Sequence, residues 1–159
     1  MRIYFGTNRN PNNLENPTDF GDVFSPKGLT DLRFGWAEVD DQKPSKYRLT
    51  VAGENLTEAP ADRVLGSHAV FEAVRKEMTS NRQPCVIFVH GFNVSFRDAI
   101  LGAVAMKRAY STLPMTLFLF TWPSDGSMLP YIAYASDRDD ARASGVALGR
   151  GLQKLSHYL

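Results

Sequence analysis

The residues best placed for chemistry follow one another directly: the apolar run Val86-Ile87-Phe88-Val89 ends in His90-Gly91-Phe92-Asn93. A buried strand that ends in His-Gly and an aromatic puts a flexible backbone turn where main-chain amides point into a cleft. Such a turn suits an oxyanion site, because donors fixed before reaction stabilise charge developing on a carbonyl oxygen without reorganising. Read in isolation, the His-Gly pair has a plainer role, in which Gly91 serves the turn and His90 satisfies a buried backbone group. The histidines are His68, His90 and His157. His68 falls on the inward stripe of a helix and His157 near the carboxyl end, which leaves His90 as the one positioned base. Ser95, Ser124 and Ser127 are the hydroxyls on neighbouring loops, so a Ser-His pair is available in principle. Against it, Ser95 is already needed as a helix cap and no third group is indicated. Asp137 shares helical spacing with Ala141, Ser144, Gly145 and Leu148, which puts a carboxylate on a packed face near the mouth of the sheet. A carboxylate there needs a cation or several donors, and an arginine partner is the ordinary solution.

Other chemistries are set aside by spacing. Three scattered histidines and the single Cys85 offer no metal-ligand cluster, so no metal is expected. Gly145, Gly149 and Gly151 lie inside a helical pattern rather than between a strand and a helix start. They make no phosphate or dinucleotide cradle, and no cofactor is expected. Cys85, among apolar neighbours, reads as an inert thiol.

The elements that must position these residues fall into two halves. Ile3 to Thr7, Leu32 to Val39 and Tyr47 to Val51 read as strands, the last two as a hairpin around Asp40-Asp41-Gln42-Lys43-Pro44. The Asn- and Pro-rich stretch 8–27 reads as a long loop. Val64, Phe71, Val74 and Met78 then recur at helical spacing from Asp62 to Ser80, with Asp62 in the first turn. From Pro84 short apolar runs alternate with helical stretches, the pattern of parallel strands covered on both faces by crossover helices. The strands are Cys85 to His90 and Met115 to Thr121. One helix is capped by Ser95 and carries Phe96, Ile100, Ala103 and Tyr110 on one face. The last, from Ile132 to Leu155, turns Ala141, Gly145, Leu148, Leu152 and Leu155 inward, with Gly145 and Gly149 allowing close backbone approach. The expected fold is α/β, one domain over 1–159, with a β-rich start (1–60) and an αβαβα second half (61–159).

Composition agrees: 159 residues, 43% hydrophobic and 22% charged, suit a globular domain with a core. A formal charge of +1 gives no field toward phosphate backbones, so nucleic acid is not an expected partner. The longest apolar runs fall far short of the roughly 18 residues of a membrane span. Met1-Arg2-Ile3-Tyr4-Phe5-Gly6 lacks the apolar stretch of about 7 to 15 residues of a secretory signal, and a cytoplasmic protein is expected.

Three blocks in order carry a resemblance. Phe88-Val89-His90-Gly91-Phe92-Asn93-Val94-Ser95-Phe96, then Phe120-Thr121-Trp122-Pro123-Ser124-Asp125-Gly126-Ser127, then Tyr134-Ala135-Ser136-Asp137-Arg138 resemble an uncharacterised bacterial branch of the α/β-hydrolase superfamily. Phe5-Gly6-Thr7-Asn8-Arg9 is similar to that branch's opening strand. The resemblance implies that Cys85 to His90 is the third strand of the hydrolase sheet and that the amide of Phe92 or Asn93 belongs to the oxyanion hole. It also implies that the Trp-Pro-Ser turn ends the fourth strand. Trp122, Ser124 and Asp137 then stand as a substrate wall beside the loop of His90 and Gly91.

One departure is large. The superfamily's next element presents the nucleophile in Gly-x-Ser-x-Gly, and that motif is absent from these 159 residues. The expectation is an amino-terminal half of a hydrolase fold, lacking the nucleophile strand. In the hydrolase strand order Cys85 to His90 is then an open edge, to be covered by another copy or by a complementing polypeptide. Two functions stay open: part of an acyl (ester-type) hydrolase that takes a small acyl substrate, or a non-catalytic binding module on the same scaffold.

Overall fold

The computed structural model describes residues 1–23, 32–52, 66–124 and 130–158, with side chains in the last segment from residue 138. Its elements, in chain order, are β1 (Arg2–Thr7), β2 (Arg33–Val39), β3 (Tyr47–Val51), α1 (Gly66–Asn81), β4 (Cys85–Val89), α2 (Phe96–Ala109), β5 (Thr116–Thr121) and α3 (Pro130–Tyr158). The strands form one sheet in the order β3-β2-β1-β5-β4. β1, β2 and β3 pair antiparallel, whereas β1, β5 and β4 run parallel. Thr7 lies beside Thr121 and Val89 beside Phe120, so three strands deliver their carboxyl ends to one rim. The expected first-turn Asp62 lies outside the described residues, as do Val64 and the 24–27 end of the long loop.

Alternation along β1 and β5 splits the core into two layers. Ile3, Phe5, Leu117 and Leu119 face α2, where Phe96, Ala99, Ile100 and Ala103 meet them. Tyr4, Phe118 and Phe120 face the other way, onto Val70, Phe71 and Val74 of α1 and Ala147 and Leu155 of α3. Every residue of β5 is buried, as expected of a strand covered on both faces. Each fully buried side chain of this size contributes about 1.5–3 kcal/mol. β2 comes close enough that a Cβ at Gly35 would stand 2.3 Å from the Thr50 carbonyl oxygen and 2.8 Å from the Phe5 ring, so only glycine fits there. α2 starts where expected: Ser95 Oγ accepts the Asp98 N–H at 3.1 Å and donates to the Asp98 carboxylate at 2.7 Å.

Three details of the sequence reading change. His68 is exposed, because Ser67 takes the inward place, and His68 Nδ1 instead lies 2.9 Å from Tyr158 Oη. Tyr110 is half-exposed at the end of α2, and Val104 fills the stripe in its stead. The inward face of α3 runs through Ser144, Ala147, Gly151 and Leu155, while Ala141 and Gly145 face solvent. A Cβ at Gly145 or Gly149 would meet nothing within 4 Å, so neither glycine marks a close approach.

The described part of the long loop, through residue 23, makes hydrogen bonds of its own. Gly21 N–H donates to Asn10 O and Asn12 N–H to Asp19 O, folding it back on itself, and the Asn12 side chain accepts the amides of Thr18 and Asp19. Phe20 anchors it by packing edge-on to Phe5 and tilted on Phe96.

Among the described residues β4 is an edge of the sheet. Val86 and Phe88 pack toward α2, whereas Ile87 and Val89 on the opposite face are each 42% exposed. Among the described residues no helix is long and apolar enough to cross a membrane.

Candidate functional site

In a parallel sheet, ligands bind beyond the carboxyl ends of the strands. Here that rim gathers Asn8 and Arg9 after β1, His90 to Val94 after β4, and Trp122 to Ser124 after β5. A buried charge organises it. The side chain of Arg9 has no exposed surface, and its donors fan out in three directions. Nε donates to Thr121 Oγ1 at 2.8 Å. Nη1 donates to Gly21 O at 3.2 Å and to the Asp22 carboxylate at 2.5 Å. Nη2 donates to Val94 O at 2.5 Å and lies 3.4 Å from His90 Nε2. One guanidinium therefore fastens the folded-back loop, the end of β5 and the turn after β4, which suits its planar, multi-donor fork.

His90 is 6% exposed and fully engaged. Trp122 N–H donates to its Nε2 at 3.1 Å, so that nitrogen is an acceptor and the proton resides on Nδ1, which reaches Gly91 O at 2.8 Å. Thr121 Oγ1 stands 3.0 Å from the same Nε2. This hydroxyl–imidazole contact has the form of a nucleophile–base pair. Its setting does not: Thr121 is completely buried, Arg9 holds its oxygen, and a backbone amide already uses the imidazole lone pair. The plainer role of His90 is thus the one the geometry carries.

The turn after His90 brings backbone donors together. Asn93 adopts φ 54°, the left-handed region that asparagine tolerates better than other side-chain-bearing residues. Its N–H donates to Ser124 Oγ at 2.7 Å, and the next amide, of Val94, points to the same oxygen at 3.4 Å. The two converging amides are those of Asn93 and Val94; Phe92, one residue earlier, presents a 43% exposed side chain. Gly91 is exposed, with nothing within 4 Å of a Cβ built on it. Of the expected wall, Trp122 is 7% and Ser124 2% exposed at the end of β5. Ser127 and the side chain of Asp137 lie outside the described residues. Ser95 remains a helix cap.

The sequence reading missed Arg9, Asn8 and Thr121 as parts of the rim. Asn8 is buried and donates Nδ2–H to Ser144 Oγ at 2.8 Å, while its Oδ1 has no partner among the described residues. The available signal was a charged residue two positions after an apolar strand, since a central strand that leads so soon into arginine must bury it or bend away. Among the described residues no group of His, Cys, Asp and Glu is arranged to hold a metal ion. At the far rim, the amino ends of β4 and β5, a hollow of about 340 Å³ is lined by Glu77, Gln83, Lys107, Tyr110 and Leu113. It shares no residue with the carboxyl rim. Burial first, then the charge of Glu77, pushes the thiol of half-buried Cys85 up to about 11.

A family model described as an alpha/beta hydrolase of unknown function (DUF900) matches residues 67–158, from the first turn of α1 to the end of α3. No curated protein and no solved structure matches the chain.

Proposed function

The chain belongs to this family of alpha/beta hydrolases, and from that premise we propose that it forms the oxyanion-loop half of an acyl hydrolase acting on ester-type substrates. The observation that carries the reading is the convergence of the Asn93 and Val94 amides on one oxygen at the carboxyl rim. When a nucleophile adds to an ester carbonyl, the carbonyl oxygen takes on negative charge, and two fixed amides stabilise it; collapse expels the alcohol, and water then releases the acid from the acyl-enzyme. In this reading Trp122 and Ser124 belong to the substrate wall beside the loop of His90 and Gly91, and Asp137, whose side chain lies outside the described residues, is assigned to the same wall by the resemblance.

In this reading the nucleophile and its base come from outside these 159 residues, which contain no Gly-x-Ser-x-Gly and whose His90 is engaged. The strand that carries them adds to the open edge of β4, with a helix over Ile87 and Val89. The complementing strand belongs to another polypeptide or to a longer form of this chain; a second copy of these residues brings no Gly-x-Ser-x-Gly and covers the edge without supplying the nucleophile. Residues 1–159 act as one domain because β1 is hydrogen-bonded to β2 on one side and β5 on the other.

A fluorophosphonate probe, applied to the purified chain and to lysate of its source with adducts mapped by mass spectrometry, tests the proposal. Labelling of a serine outside these residues, on a segment or chain that co-purifies with them, supports it. Labelling of a serine within them overturns the division of the site, and absence of labelling overturns the acyl-hydrolase reading. Gly91→Val is expected to lower labelling of the partner serine while leaving the fold intact, because the added side chain grows into open space.

A further inference from the structure

Ser124 Oγ occupies the point where the Asn93 and Val94 amides converge. Two successive amides around a left-handed residue form a concave site that favours anionic oxygen. The occupant in this structure is a neutral hydroxyl, a weaker acceptor than a carboxylate or an alkoxide. The Arg9 guanidinium donates to Val94 O at 2.5 Å, on the next peptide of the same turn, while its charge is answered by the Asp22 carboxylate. Ser124 is buried, whereas Asn93 is exposed as a residue, which puts the turn that carries the amide pair at the protein surface.

We propose that the Ser124 hydroxyl is a built-in placeholder, seated on the Asn93 and Val94 amides until an anionic acyl oxygen displaces it. The site takes the carboxylate of a product acid or the oxyanion of a tetrahedral adduct. The identity of that ligand rests on the acyl-hydrolase reading; the displacement itself rests on geometry. Ser124 is thereby a gate and not a nucleophile, because an oxygen seated on the donor pair stands where the oxyanion belongs and not where attack begins. The gate sets an order of events: the hydroxyl rotates off as the acyl group arrives, and returns when the acid leaves.

The test is a titration of the full ¹⁵N-labelled chain with acetate, followed at the backbone amides, in wild type, Ser124→Ala and Ser124→Thr. Removing the hydroxyl is expected to leave saturable shifts centred on Asn93 and Val94 at roughly tenfold lower acetate than in wild type. Ser124→Thr, which keeps a hydroxyl at the same position, is expected to stay within about twofold of wild type. If Ser124→Ala does not fold, Ser124→Cys is read in its place, since sulfur is the weaker acceptor. Equal acetate affinity in wild type and the hydroxyl-free variant, or shifts that miss these two amides, overturns the placeholder. Acetate binding as expected without fluorophosphonate labelling leaves the placeholder standing and removes the hydrolase; labelling without acetate discrimination does the reverse.

Discussion

Trp122 grips His90 at two points: its backbone N–H donates to Nε2 at 3.1 Å, and its indole N–H donates to the His90 carbonyl oxygen at 3.2 Å. The two rings stack at 5.3 Å between centroids and 10° between planes. Because β4 and β5 are adjacent, this clamp ties the end of one strand to the end of the next and holds the following turn in place. The imidazole is a strut whose lone pair is committed to a backbone amide.

His90→Ala therefore acts on stability before chemistry. It strands the buried Trp122 amide and removes the ring stack, at an expected cost of about 2–4 kcal/mol in urea unfolding. His90→Gln, with an acceptor at a similar reach, is expected to recover about half of that. A loss for His90→Ala below about 1 kcal/mol would remove the strut role.

Arg9 and Asp22 form an ion pair whose members are unequal, since the arginine side chain is wholly buried and the aspartate is 42% exposed. Arg9→Met leaves Gly21 O, Val94 O and Thr121 Oγ1 short of a donor and is expected to cost about 3–5 kcal/mol by chemical denaturation. Asp22→Asn keeps an acceptor at a partly solvated position and is expected to cost under about 1 kcal/mol. Equal costs would mean that the guanidinium matters for its charge pair and not for the three segments it fastens. Arg9→Lys, with a point charge in place of a fork, is expected to fall between the two.

Much of this architecture is legible in the chain, and the reasons are local. Leu117 to Phe120 is apolar throughout and can only be a strand covered on both faces; Ser95 followed by Asp98 announces a helix start. Periodicity failed where neighbours decided the outcome. Val104 rather than Tyr110 completes the α2 stripe because the helix ends at Ala109, and on α1 it is Ser67 that is buried while His68 lies at the surface against Tyr158. The rim was half legible. His90, Gly91, Asn93, Trp122 and Ser124 show themselves by type and position at strand ends, but Arg9 reaches partners separated from it by 12 to 112 residues. Nothing in local pattern reveals which carbonyls a buried guanidinium will find.

Cys85 gives a pH dependence with a fixed sign. Burial and the Glu77 charge raise its thiol from 9.0 in the unfolded chain to about 11 in the fold. Between those values the unfolded chain has lost the proton and the folded chain keeps it, so stability falls as pH rises through this window and is unaffected below it. Iodoacetamide alkylation of the native protein is expected to be slow at pH 8 and to rise only as pH approaches 11. Fast labelling at pH 8 in native buffer would show an open, activated thiol instead.

The edge of β4 governs whether the chain works alone. Among the described residues Cys85–Val89 is the outermost strand, and its side away from β5 presents backbone donors and acceptors next to Ile87 and Val89, each 42% exposed. An apolar edge of this kind draws another strand unless charge or proline blunts it, and this strand has neither. The purified chain is expected to sediment as an assembly above 17.7 kDa, or to recruit a complementing polypeptide from its source. Ile87→Lys with Val89→Lys puts two charges on the outer face. Both positions are already part-exposed, so stability should shift by no more than about 1 kcal/mol while the assembly dissociates. An assembly that survives this double substitution is built on another surface, and a wild type that stays monomeric while binding nothing would mean that the open edge of β4 needs no mate.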